Sequence, residues 1–216
     1  MQAVLTALVT LSVCSFAQIV PIEQLAHRIP PTAAREYRAS AKALENGKLD
    51  ASIAHCQKAL AADPDNASAH NDLGVLYLND GQTANAHSEF HQAATLQPRM
   101  TMAYVNESFA LLALDRPADA ESSARKALEI APNNHRANLL LGWSLTAQFR
   151  YSKEALAALQ LAARDYPEAH LAAADVLMHT GSLAQARQEV QAYLASGSAD
   201  QKSLAESWLQ LLTFEP

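Results

Sequence analysis

ASAHNDLGVLYLNDGQTANAHSEFHQAATLQPRM, residues 67–100, is the unit from which this chain is written. Its closing proline, Pro98, has counterparts at Pro64, Pro132 and Pro167, at spacings of 34, 34 and 35 residues. A fixed period between about 20 and 50 residues marks a stacked repeat array. Within the unit, Leu73 and Tyr77, and then Ala86, Phe90, Ala93 and Ala94, are spaced as on one face of a helix, so the unit reads as two amphipathic helices. Gly81 lies between them, where a helix end favours a left-handed residue without a Cβ. Small residues at Gly74 and Ala86 let the two helices approach closely, because bulk at a crossing holds helices apart. Pro98 ends the second helix: it lacks an N–H and disfavours helix in the residue before it.

The same unit recurs along the chain. Residues 33–66 carry Ser40, Leu44, Gly47, Ser52, Cys56, Ala59 and Pro64 in register. Residues 101–134 carry Ser108, Leu111, Ala120, Ala124, Ala127 and Pro132, with Asp115 in place of the turn glycine. Residues 135–167 carry Gly142, Leu145, Ala155, Leu159, Ala162 and Pro167, with one residue inserted at Phe149-Arg150-Tyr151. Residues 168–197 carry Ala174, Leu177, Gly181, Ala186, Val190 and Leu194 after a shortened approach, Glu168-Ala169-His170. This pattern resembles the tetratricopeptide repeat, and five copies cover most of the chain. The resemblance implies an all-α, right-handed superhelical solenoid of antiparallel helix pairs. Each pair cannot bury its apolar side alone, and stacking makes the core continuous. Asp50 and Ser152 are expected to cap second helices.

Two segments flank the repeats. Residues 198–216 contain a predicted helix from Asp200 to Phe214, capped by Asp200, with Leu204, Trp208, Leu211 and Leu212 as its apolar stripe. It reads as a cap on the last repeat, or alternatively as a docking or dimerisation helix. Residues 1–17, MQAVLTALVTLSVCSFA, are apolar and uncharged, and Ser15-Phe16-Ala17 suits cleavage before Gln18. That reads as a signal peptide sending the chain to the periplasm or medium, although the segment lacks a basic start. An uncleaved membrane anchor and, at Cys14, a lipoprotein are the alternatives. After cleavage no membrane insertion is expected, since the apolar run is short of a span. Residues 18–32, with Pro21, Pro30 and Pro31, read as an extended arm lying on the first repeat. An arm followed by such repeats resembles small exported bacterial repeat proteins. Cys56 reads as a small buried hydrophobe.

The composition restricts function. The 216 residues are half apolar, few are aromatic, and the net charge is −6 with no basic cluster. Nucleic acid and anionic membrane therefore have no electrostatic footprint here. No phosphate loop, nucleophile elbow or CxxC is present, so the chain does not read as an enzyme, and no cofactor is implied. His87 and His91 have the spacing of two zinc ligands, but Glu89 points elsewhere, so they read as a solvated helix face rather than a metal site. Asn66-Ala67-Ser68 and Asn106-Glu107-Ser108 match the glycosylation sequon.

What remains is the concave surface. In proteins of the family that the repeats resemble, first helices present their second, fifth, sixth, ninth, twelfth and thirteenth residues to a protein or peptide ligand. In this chain the resemblance places Asn71, Val75, Met102, Val105, Asn106, Phe109, Arg136, Leu139 and Trp143 there. Val105, Phe109, Leu139 and Trp143 would bury apolar ligand side chains, and Asn71, Asn106 and Arg136 would orient polar groups. Aromatic anchors are common carriers of binding energy. The family's clamp for a peptide carboxylate is not expected, because Asn71, Val75, Asn106, Arg136 and Leu140 match its pattern at only two of five places. Self-packing of Phe109 and Trp143 under the chain's own arm or superhelical turn is the alternative.

Overall fold

A computed structural model describes residues 29–198 and 200–213. The segment read as a signal peptide, 1–17, most of the segment read as an arm, and Phe214 lie outside the described residues. Those described form eleven helices and no strand, as the repeat predicts. In chain order they are α1 (Pro31–Glu45), α2 (Leu49–Ala62), α3 (Ala67–Asn79), α4 (Thr83–Leu96), α5 (Thr101–Ala113), α6 (Pro117–Ile130), α7 (His135–Ala147), α8 (Lys153–Ala162), α9 (Glu168–His179) and α10 (Leu183–Ala195). A terminal helix, α11 (Lys202–Thr213), follows. The helices divide into two compact units, one ending at Leu114 and the other starting at Asp115. In the first, α1 packs on α2, α2 on α3, α3 on α4 and α4 on α5. In the second, α6 packs on α7, α7 on α8, α8 on α9, α9 on α10 and α10 on α11.

Close approach inside each pair follows from small side chains at two places. Ala86, Ala120, Ala155 and Ala186, near the start of the second helices, are fully buried. In the first repeat serines fill both places: the Ser40 hydroxyl lies 2.9 Å from the Ser52 hydroxyl and 2.9 Å from its carbonyl. Gly74 faces the ring of Phe90, and Gly142 faces the side chain of Leu159. Cys56 is buried as expected, and burial pushes its thiol up to about 12, so it stays protonated.

Every turn between paired helices takes the left-handed conformation at the same place. Gly47, Gly81 and Gly181 have φ of 67°, 75° and 77°, and Asp115 and Phe149 follow with 56° and 57°. Asp115 therefore keeps the geometry that its missing glycine seemed to abandon. Four of these turns close alike, with N–H groups reaching back across the helix end: Lys48 to the Ala43 carbonyl, Gln82 to Tyr77, Arg150 to Leu145 and Ser182 to Leu177. Phe149 is the outlier, a bulky residue in a region that suits glycine, with a side chain 70% exposed. Phe149→Gly is expected to raise stability by about 1 kcal/mol through relief of this strain, read as a higher urea midpoint with an unchanged slope.

Helix ends show where the sequence reading needs correction. Ser152 caps α8 as expected, accepting from the Ala155 N–H at 3.2 Å. Asp50 is not a cap: α2 begins one residue earlier, at Leu49, so Asp50 sits inside the first turn, where its charge faces the positive end of the helix. Asn66 and Asn134, residues not singled out as caps, accept from Ala69 and Ala137 N–H groups at 3.1 and 2.9 Å. The first helix opens at Pro31, two residues before the expected repeat boundary, because proline's fixed φ suits the first helical position. Ile29, at the end of the arm, packs against the core of the first repeat. Helix α11 starts at Lys202, two residues after Asp200, and packs on α10 through Ala205, Trp208, Leu209 and Leu212. Leu211, assigned to the apolar stripe, instead points to solvent. The stripe is turned because Leu209 rather than Leu211 follows Trp208 onto the packed face.

A candidate partner-binding surface on the first helices

The nine candidate residues all lie on first helices. In the first unit, α3 carries Asn71 and Val75, and α5 carries Met102, Val105, Asn106 and Phe109. In the second unit, α7 carries Arg136, Leu139 and Trp143, at steps of three and four that put them on one side of the helix. Asn71 and Asn106 are brought together: the Asn106 side-chain N–H donates to the Asn71 side-chain oxygen at 2.9 Å. Met102 is half-buried, whereas the other eight are buried. A partner reaching these residues must therefore uncover them first.

Polar atoms on these helices are left with unused capacity. Among the described residues, the Asn106 side-chain oxygen, the Trp143 indole N–H and the Tyr37 hydroxyl are buried without a hydrogen-bond partner. Such groups are costly to leave unmade, and only a few occur in a native domain. Tyr37 lies on α1, at the place in its repeat that Asn71 occupies in the next. Burial, and then the nearby carboxylates of Asp63 and Asp72, hold its phenol well above the ordinary tyrosine range. Burial also pulls the Arg136 guanidinium down to about 10, against the opposing influence of Tyr166.

Buried charge on α5 was not anticipated. Glu107, next to Asn106, is buried and lies 2.7 Å from the His91 imidazole of α4. His91 is exposed, as its reading on a solvated face expects, and it also joins the second repeat to the third. The only signal for this was its register, since Glu107 and His91 sit 16 residues apart. His87 and His91 stack with ring centroids 6.2 Å apart. Among the described residues no group of three His, Cys, Asp or Glu is placed to hold a metal ion. No helix among them is long and apolar enough to cross a membrane.

Comparison with known families rests on the same periodicity. A TPR repeat model matches residues 43–81, and a tetratricopeptide repeat model matches residues 105–168 and 147–201. The chain belongs to the tetratricopeptide repeat family. Solved structures of tetratricopeptide repeat type share its fold. MamA of Desulfovibrio magneticus is similar at 16% identity and a TM-score of 0.71, over 78% of this chain and 96% of that one. PilW, described as a type IV pilus biogenesis factor, is similar at 22% identity and a TM-score of 0.67, over 85% and 91%. YrrB, described as having an unusual peptide-binding site, is similar at 18% identity and a TM-score of 0.65, over 76% and 85%. No curated protein matches the sequence. Among the described residues, the first helices of this tetratricopeptide array thus hold the Tyr37 hydroxyl, the Asn106 oxygen and the Trp143 N–H buried without partners.

Proposed function

We propose that the chain is a non-catalytic scaffold, exported from the cytoplasm, that holds a peptide segment or protein surface against its first helices. One observation carries the reading. The Tyr37 hydroxyl, the Asn106 oxygen and the Trp143 N–H are buried and unpartnered among the described residues. All three lie at places that the family turns toward ligand. A peptide backbone offers what they lack, an N–H for Asn106 and a carbonyl for Trp143 and Tyr37. In the first unit Val75, Val105 and Phe109 add apolar surface on the first helices, and in the second Leu139 does so on the helix of Trp143. In that reading the buried state of these side chains is the unliganded one, and binding exchanges the chain's own cover for a partner. PilW and YrrB, similar in fold, are described as a pilus biogenesis factor and as having an unusual peptide-binding site.

The test removes the polar atoms and keeps the bulk. Wild-type protein, Trp143→Phe and Asn106→Leu are used to capture proteins from a cell-envelope extract, each having first been shown to melt cooperatively. A protein recovered by the wild type and reduced at least tenfold with both variants is the expected result. Equal recovery by all three would move binding away from the first helices, to the outer surface or the terminal helix.

A further inference from the structure

Three helix pairs are fastened by the same device. Glu36 and His55 meet at 2.7 Å across α1 and α2. His70 and Glu89 meet at 2.6 Å across α3 and α4. His170 and Glu189 meet at 2.6 Å across α9 and α10. Each pair is separated by 19 residues; the first two join the fourth residue of a repeat to the twenty-third, and the last joins the third to the twenty-second of the repeat whose approach is shortened. The polarity is reversed in the first repeat and the place is the same. In the third and fourth repeats neutral residues occupy these places, Tyr104 with Ser123 and Asn138 with Ala158. We propose that these staples make the array pH-responsive. In the second repeat, the protonated His70 imidazole clamps α3 to α4 on the acid side of neutrality, and that clamp slackens as the imidazole loses its proton.

The surroundings of each imidazole support this. His70 touches the Pro64 carbonyl at 2.9 Å with its second nitrogen, so its ring is held at both ends. Glu89 faces it from α4 and Asp65 from the preceding loop, while Cys56 of α2 and Asp72 of α3 are the other titratable groups nearby. Glu107 of α5 is engaged by His91. Burial alone pulls the His70 imidazole down, but the Glu89 hydrogen bond, the Pro64 carbonyl and the charges of Glu89 and Asp65 outweigh it and hold it above its ordinary 6.5. His55 faces Glu36 of α1, which Arg35 also contacts. The His55 hydrogen bond is the main cause that holds the Glu36 carboxyl below its ordinary 4.5, with burial opposing. His170 faces Glu189 of α10, to which Gln160 of α8 also donates, and its own helix carries Glu168 and Asp175. Burial pushes the Glu189 carboxyl up, but the hydrogen bonds from His170 and Gln160 outweigh it and hold it low.

The sign follows from linkage. A histidine raised in the folded state contributes stability that is complete below its unfolded value and is lost as pH rises through the folded one. A carboxylate lowered in the folded state contributes above its unfolded value and loses the contribution as pH falls through the folded one. The His70 staple therefore acts fully below the ordinary imidazole value of 6.5 and fades as pH rises above it, whereas the Glu36 and Glu189 carboxylates act fully above their ordinary 4.5 and lose their contribution as pH falls.

The test compares melting of the full chain with that of His70→Gln from pH 5.5 to pH 8.5. Glutamine keeps a hydrogen-bond donor and does not titrate. The wild-type Tm is expected to fall by about 3 °C across that interval, and the variant to lose at least half of the slope. A wild-type Tm that stays level or rises overturns the proposal, as does a variant with the wild-type slope. If the variant does not fold, imidazole titration by NMR decides on the wild type. His70 titrating above the free imidazole value upholds the clamp, and titration at or below it overturns the clamp.

Discussion

Gly74→Ala is expected to destabilise the protein by about 2 kcal/mol, read as a lowered urea midpoint. Two effects of opposite sign decide the figure. Alanine is the better helix former by about 1 kcal/mol. Against that, a Cβ on Gly74 would sit 2.5, 2.7 and 2.9 Å from three ring carbons of Phe90. The ring is fully buried at the heart of its helix pair, so it cannot swing aside. Overpacking of this kind costs about 1–3 kcal/mol and sometimes more, and contacts this short belong at the upper end. Gly142→Ala should behave alike, since its Cβ would lie 2.4 Å from the Leu159 side chain. The mechanism predicts non-additivity. Gly74→Ala with Phe90→Leu should cost less than the two single changes summed, because the smaller side chain makes room for the methyl. Strict additivity would show that the two residues do not collide.

Trp143→Ala is expected to cost about 3–5 kcal/mol, the range for emptying a large aromatic site. The residue is only 1% exposed, on a helix buried from Arg136 to Thr146 without a break. Trp143→Phe keeps most of the bulk and should cost about 1 kcal/mol, because a smaller ring leaves only part of the void. The same change removes the indole N–H, which has no partner among the described residues, so that loss carries little penalty. Denaturant melts of both variants check the ratio. Equal losses would mean that the ring's volume is not what the site requires.

The fold was legible because its constraints are local and repeated. The prolines set the period, and the glycines mark turns that do adopt φ near 70°. The small residues Gly74, Ala86, Gly142 and Ala155 mark the helix crossings. Less legible were features where the backbone overrules composition. Asp115 and Phe149 are left-handed because the turn geometry requires it, whatever residue stands there. The caps Asn66 and Asn134 each stand one residue before a helix that opens at a repeat boundary, a signal present but not used. Leu211 was misplaced because a short helix with leucines at two phases allows two stripes, and only packing on α10 chooses between them. The candidate site was legible by place and not by environment. Register puts Phe109 and Trp143 on first helices, but no periodicity states what covers a face, and both are buried. The histidine staples were hidden for a related reason: residues 19 apart become neighbours only once the pairing of helices is known.

Asn66 and Asn106 both begin sequons, yet neither side chain is available to a sugar. Asn66 is spent at both ends, its oxygen accepting from the Ala69 N–H and its nitrogen donating to Asp63 at 2.9 Å. Asn106 is wholly buried, with its nitrogen given to Asn71. An oligosaccharyltransferase could therefore reach them only on a chain still emerging and unfolded, and a glycan attached then would block the helix start at one site and the interior at the other. Production through a eukaryotic secretory route would divert material into chains unable to close, whereas a bacterial host without that enzyme would leave both amides to their structural partners.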